Sequence, residues 1–354
     1  MIPAHAARGE RPAGYDSAVT TIRDVAAAAG VSITTVSHVL SGQGRIPQHT
    51  RARVLQVASD LGYRANVHAQ QLVTRRSRTL AVQIANSVDA TAGAVLVPNS
   101  EYFLQVLNGA AEAAAQRSYA TILVPPDAGL DGLAAFGVDG VVLVDPRGDE
   151  PFFTGRWQRR PLVTIGRPIS PAREVPAVVD NDLVGAGTQM VEHLWQQGYR
   201  RPALITTDTA RSYTHDIATG YARTVRDRGA QPVIVEIGEP STPEGAADAL
   251  SGLLDRGDPP DAVVTSSEIL ALSVLHEAAS RGIDVPGELG ICSGVDSCSL
   301  RLTSPQITGM SVNPRQVGHA AATALMSLVE NGIAQAKTIE VPARLHPRGS
   351  TARS

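Results

Sequence analysis

The sequence predicts a small all-α headpiece followed by a two-lobed α/β core, and three observations carry that expectation. Residues Thr21 to Leu40, TIRDVAAAAGVSITTVSHVL, read as two short helices joined by a Gly-Val-Ser turn. From Thr79 onward, β-rich runs alternate with helical stretches: LAVQI, TILVP, GVVLV, PLVTI, PALIT, VIVEI, AVVTS and LGICSG. Alternation of this kind predicts parallel sheets wound by helices. The region holds about 270 residues, more than one such sheet usually needs, so two lobes are expected.

In the first helix, Ile22, Val25, Ala26 and Ala29 fall at i, i+3, i+4 and i+7, which gives one apolar stripe. Thr21 with Asp24 three residues on is a capping pattern, and Gly30 supplies a left-handed stop. Ser32 is placed to cap the free amides of the second helix. Val36, Val39 and Leu40 then point to a core, while Ile33, Thr34, Ser37 and His38 occupy the other face. Short side chains there can reach base edges if the second helix lies in the DNA major groove. Two amphipathic helices with a glycine turn also occur in ordinary helical domains, so this segment alone leaves both readings open.

Pro47 to Tyr63 reads as a third helix, with Val54, Val57, Ala58 and Leu61 on one face, Arg51, Arg53 and Gln56 on the other, and Gly62 closing it. Beyond it, Asn66 to Leu72 begins with a capping residue and is about two turns long, too short to stand alone as a helix in water. It should order only against a partner. Residues 1–19 mix Pro, Gly, Ala and charge without periodicity, and are expected to be a disordered extension or the product of an upstream start codon.

The formal net charge of −3 is unevenly divided. Residues 20–78 hold eight arginines and two acids, a net of +6; residues 1–19 balance at zero, leaving −9 for residues 79–354. The headpiece is the basic end, as phosphate binding requires, and the acidic body limits nonspecific adhesion to nucleic acid. The first nineteen residues lack an apolar core and no stretch is long and apolar enough to span a bilayer, so no membrane role and a cytoplasmic location are expected. Cys292 and Cys298 have no metal-like partner set and read as free thiols. No metal and no cofactor is expected.

The strings DVAAAAGVSITTVSHVLSG, TRARVLQVASDLGY and NVHAQQL, in this order and spacing, closely resemble the headpiece and hinge of the lactose-repressor (LacI/GalR) family of bacterial transcription regulators. The resemblance runs from Thr21 to Ser350. It implies a helix-turn-helix headpiece over residues 20–65, a hinge helix and linker over 66–78, and a periplasmic-binding-protein-like effector core over 79–350. Within that core the N-terminal lobe would span about 79–178 and 313–338, and the C-terminal lobe about 179–312 and 339–350. The chain would cross between lobes near Val178 to Asp180, near Val312, and near Thr338 to Val341.

The resemblance further implies that Thr21, Ser32, Ile33, Thr34, Thr35, Ser37, His38, Arg45 and Tyr63 contact DNA from the headpiece, and Asn66, Ala69 and Leu72 from the hinge. Thr34 and His38 are the expected base readers, with Ile33 meeting a thymine methyl. In this family the hinge helices of two subunits pair in the minor groove and a leucine at the position of Leu72 wedges between base pairs. Leu72 could instead be a core residue, but Gln70, Gln71, Arg75 and Arg76 leave little apolar surface around it.

The cleft shows both agreement and departure. Asp296, in GVDS, matches the family's strand-end aspartate that hydrogen-bonds ligand hydroxyls; an acid there could equally form a turn. Ser267 and Glu268 stand where the family usually has Asn-Asp. Ile217, three before Gly220, stands where an arginine usually clamps the effector, and an aliphatic chain cannot replace a five-donor guanidinium. Tyr213, His215 or Asp216 could supply polar contacts instead, or each could be solvated. In the first lobe the loop from Ala85 to Pro98 is longer than usual, and Tyr102 and Phe103 follow it at the family's contact point. The segment between Pro126 and Gly140 is too short for the usual helix. A sugar specificity is therefore not carried over, and the effector is left as a sugar or related metabolite.

The function expected is that of a sequence-specific transcriptional regulator, a repressor by preference. It would bind a near-palindromic operator as a homodimer, because one short helix reads too few base pairs. The alternative is a transport-type small-molecule binding protein with the same core, which would need an export signal. An enzyme is not expected: the chain has no Gly-x-Ser-x-Gly elbow, no phosphate loop and no metal spacing among its nine histidines.

Overall fold

The structure is a computed structural model that describes residues 20–41, 44–63, 76–85, 88–89, 93–94, 101–125, 133–134, 136–154, 160–171, 174–207, 210–238, 241–332 and 337–353. The chain divides into two units, residues 1–76 and 77–354.

The first unit holds three helices, α1 (Ile22–Ala29), α2 (Ile33–Ser41) and α3 (Gln48–Asp60). The N-terminus of α1 is closed as its sequence requires: the Thr21 amide and hydroxyl both donate to Asp24 Oδ2 at 2.7 Å. Gly30, at φ 64°, ends the helix in the left-handed region. The Thr35 amide then donates to the Ser32 hydroxyl at 3.1 Å and starts α2. Val25, Ala26, Ala29, Val36, Val39, Val54 and Ala58 form the buried core, and Ile22, Leu40, Val57 and Tyr63 pack around it. Leu61 departs from the expected face. It lies past the last turn of α3, where the helical period no longer governs direction, and is exposed.

The second unit contains two six-stranded sheets. The strands of the first are β1 (Thr79–Ile84), β2 (Ala120–Leu123), β3 (Gly140–Val144), β4 (Leu162–Ile165), β5 (Ala177–Asp180) and β11 (Lys337–Glu340). They lie in the order β11-β5-β4-β3-β1-β2, all parallel. The strands of the second are β6 (Pro202–Thr206), β7 (Val233–Glu236), β8 (Ala262–Thr265), β9 (Gly290–Ser293), β10 (Thr308–Ser311) and β12 (Arg344–His346). Their order is β12-β10-β9-β8-β6-β7, parallel except for β12 against β10. Each sheet thus repeats one winding, second-first-third-fourth-fifth, which puts a topological switch point between β1 and β3 in one lobe and between β6 and β8 in the other.

Helices α4 (Glu101–Gln116) and α10 (Pro314–Asn331) cover one face of the first sheet, and α5 (Leu183–Gln196) and α6 (Ser212–Asp227) one face of the second. Both pairs cross at glycines. A Cβ on Gly109 would overlap the Arg315 carbonyl, one on Gly318 that of Val106, one on Gly187 that of Ile217, and one on Gly220 that of Val184. Helices α7 (Pro243–Leu254) and α8 (Glu268–Ser280) cover the opposite face of the second sheet.

The chain crosses between lobes three times, after β5, after β10 and after β11. One side chain gathers all three. Asn181 Nδ2, in the first crossing, donates to the Val312 carbonyl at 3.0 Å and to the Val341 carbonyl at 2.6 Å. The first and third crossings follow β5 and β11, which belong to the first sheet for their full length.

Candidate DNA interface and interlobe site

On the headpiece, α2 turns Val36 and Val39 inward and leaves Ile33 and Thr34 exposed beside each other. Ile33 keeps 45% of its surface exposed on the face of α2 away from the core. Ser37 and His38 are half-buried on the same helix, and the His38 ring lies against Gly44, which has φ 77°. The hydroxyls of Ser32 and Thr35 bond to one another at 2.9 Å, and Thr21 is engaged in its cap, so these three serve the geometry of the turn. Arg45 is exposed; Tyr63 packs its ring against the headpiece core. Asn66, Ala69 and Leu72, with the rest of the hinge, lie outside the described residues.

In the second unit, buried oxygens collect at the carboxyl ends of the second-lobe strands. The hydroxyls of Thr206 at the end of β6 and Thr207 beyond it, those of Ser266 and Ser267 after β8, Glu268 Oε2 and Asp296 Oδ1 have no hydrogen-bond partner among the described residues. Buried polar atoms left unpaired are destabilising by about 1–3 kcal/mol each, so six at one sheet edge mark a surface built to meet hydrogen-bond donors. Asp296 is more than a turn former. Its Oδ2 takes Arg348 at 2.8 Å and Arg301 at 3.3 Å, which holds the carboxylate rigid while Oδ1 stays open to a further donor.

The first lobe faces this edge with Tyr102, Arg167 and Asp145. Tyr102 packs against the cores of both lobes and meets Phe103 edge-on at 5.1 Å, while Phe103 belongs to the first-lobe core. Burial, with Asp145, Asp180 and Tyr213 nearby, pushes the Tyr102 hydroxyl well above its usual range. Burial is also the main cause that raises Asp180 to about 6, with Asp216 adding to it and Arg167 opposing. A cavity of about 490 Å3 flanks the cleft, lined by Glu101, Gln105, Asp296, Arg301, Asn313 and Arg315 among others.

Two expectations change. Ile217 is 1% exposed and sits in the second-lobe core with its Cδ1 directed at Gly294, so its aliphatic chain is packing and not a cleft contact. The polar replacements divide: Asp216 is buried and pairs with Arg167 of the first lobe, whereas His215 is half exposed and touches Asp216 at 3.2 Å. The sequence reading also missed Arg167, Asn181 and Arg211, and the Thr206-Thr207 and Ser266 oxygens. Thr206 closes the run PALIT and Thr207 follows it directly, so the strand-end rule would have found them. Nothing local marks Arg167 or Arg211, whose partners lie in the other lobe.

Residues 21–66 match the bacterial regulatory proteins of the lacI family, and residues 191–351 match the periplasmic binding protein-like domain. The transcriptional regulator CelR of Thermobifida fusca is 27% identical over 318 residues, covering 87% of this chain and 92% of that protein. The chain belongs to the lacI family of bacterial regulatory proteins. As a member of that family it is a DNA-binding transcriptional regulator. Two solved structures share the fold. A CelR–cellobiose complex superposes with a TM-score of 0.68 at 24% identity, covering 94% of this chain and 99% of that one. The lac repressor dimer bound to operator and the anti-inducer ONPF gives 0.72 at 19% identity, over the same shares.

Proposed function

We propose that this lacI-family regulator acts as a homodimeric repressor that reads a near-palindromic operator through α2, and that a small polar effector in the interlobe cleft sets its affinity for that operator. The observation that carries the effector half is the row of unpartnered buried oxygens at the ends of β6, β8 and β9. They offer acceptors and rotatable hydroxyls to a donor-rich ligand such as a sugar or related metabolite. The exposed Ile33-Thr34 pair on a capped helix, within the lacI-matching segment, supports the DNA half. One helix reads about three or four base pairs, so a dimer on two half-sites follows from the need for specificity.

Lobe closure would move the first lobes of a dimer relative to each other, and with them the hinges at Asn66 to Leu72, shifting the population of DNA-competent dimers. Action on DNA places the protein in the cytoplasm. No helix among the described residues is long and apolar enough to cross a membrane. The test is site selection from random or genomic DNA with the purified chain, followed by footprinting with and without candidate metabolites. Protection of a near-palindromic site that one metabolite class alters is expected; failure to protect any such site at low salt overturns the reading.

A further inference from the structure

We propose that Arg211 is a built-in clamp that closes the two lobes on one another without effector, by setting the chain's own guanidinium on the switch point of the first lobe. The inference rests on reading the interlobe cleft as the effector site, and it adds a residue through which that site is held shut.

Arg211 precedes α6 in the second lobe, yet its Nη1 donates to the Asp145 carbonyl at 2.6 Å and to the Ala85 carbonyl at 3.4 Å. Ala85 follows β1 and Asp145 follows β3. These are the two strand ends that flank the first lobe's switch point, the place where open α/β sheets hold their ligands. Asp145 adopts φ 51°, a left-handed conformation uncommon outside glycine, at the carbonyl that makes the shorter contact. The arginine is 6% exposed, so its bonds are shielded from water and charge-assisted.

Neighbouring contacts close the same seam. Gly166 of the first lobe approaches Ser212 so nearly that a Cβ there would lie 3.2 Å from the serine hydroxyl. Tyr102 is packed into both cores. The Arg167–Asp216 pair also spans the lobes, but the arginine side chain is 43% exposed, and an ion pair open to water contributes little. Glu101 takes the Cys298 amide at the far rim, again as an exposed contact. Arg211 is therefore a buried polar tie between the lobes, and its loss removes these donors from the Ala85 and Asp145 carbonyls.

The experiment is pulsed electron–electron spin distance measurement on the full chain without effector or DNA. Spin labels are placed at Ala115→Cys and Arg228→Cys, exposed positions on opposite lobes, in a Cys298→Ser background diluted with unlabelled chain. With Arg211 present a single short-distance population is expected. Arg211→Ala should add a longer-distance population, Arg211→Lys a smaller one because an ammonium lacks the planar fork, and Arg167→Ala little. If Arg211→Ala fails to fold by circular dichroism, Arg211→Gln takes its place. Wild-type protein that already populates the long distance, or Arg211→Ala and Arg211→Gln distributions that match wild type, overturns the clamp. Because neither effector nor DNA enters the measurement, its outcome is separate from whether the cleft binds a metabolite.

Discussion

Asp180 ends β5 at the first crossing between lobes, and its buried carboxyl makes the core's stability depend on pH. Burial raises the group from 3.8 to about 6. The folded chain therefore binds this proton more tightly than the unfolded chain, and the stabilisation is fully present below about pH 4 and lost as pH rises through about 6. A shift of that size corresponds to at most about 3 kcal/mol, at 1.36 kcal/mol per pH unit. Asp180→Asn keeps an Oδ1 acceptor for the Asn181 amide, bonded at 2.9 Å, and removes the charge. The variant should match wild type near pH 4 and exceed it above pH 7 by up to about 3 kcal/mol, with the difference opening between those limits. Urea titrations of both proteins across pH 4 to 8, followed by circular dichroism, give that difference directly, since other titrating groups cancel. A constant difference across the range, or a variant that loses ground above pH 7, would refute the argument.

The remaining predictions concern packing, capping and reading. Gly220→Ala drives a methyl into the Val184 carbonyl and should destabilise the core by about 1–3 kcal/mol or more, whereas Gly252→Ala, in open space within α7, should stabilise by up to about 1 kcal/mol; denaturant midpoints compare them. Asp24→Ala removes the carboxylate that takes the Thr21 amide and hydroxyl and should lower headpiece stability, seen as faster amide exchange in α1 and α2. Ile33→Ala should leave headpiece stability within about 0.5 kcal/mol, because the side chain is exposed, yet weaken discrimination at one position per half-site in a competition assay over single-base operator variants. His38→Ala should relax preference at a different position; an unchanged operator profile would remove it from the base-reading set.

The headpiece was legible because each of its decisions is local. Thr21 meets Asp24 three residues on, Gly30 ends one helix and Ser32 starts the next, so a reader needs only neighbouring letters. The eight apolar runs all became strands: six are central, buried on nearly every residue and read as continuous hydrophobic stretches, while β2 and β7 lie at sheet edges and are half-buried or exposed along their length. Within the two six-stranded sheets, four strands were not legible as such. Ala177–Asp180, Thr308–Ser311, Lys337–Glu340 and Arg344–His346 are short, lie toward one side of their sheets, and carry polar residues, and Lys337–Glu340 is mostly exposed. The cleft was legible where a strand ends, as at Asp296 and Ser267, and opaque where lobes meet. Arg211 bonds to residues 126 and 66 positions away, a partnership that only the folded crossing creates.

The three crossings gathered by Asn181 bear on how the protein can be made. The first lobe is begun by residue 79, but its helix α10 and its edge strand β11 lie beyond residue 313. A nascent chain still lacking them exposes the α4 face that Val317, Ala321 and Met326 later cover, and a sheet edge that β11 later pairs. Neither lobe is finished until β11 and β12, at residues 337–346, have left the ribosome. The headpiece, whose buried core is drawn from residues 25–58, is complete long before. Synthesis thus releases a DNA-reading unit ahead of the body that governs it, and a chain cut short before α10 would retain the reader while losing its control.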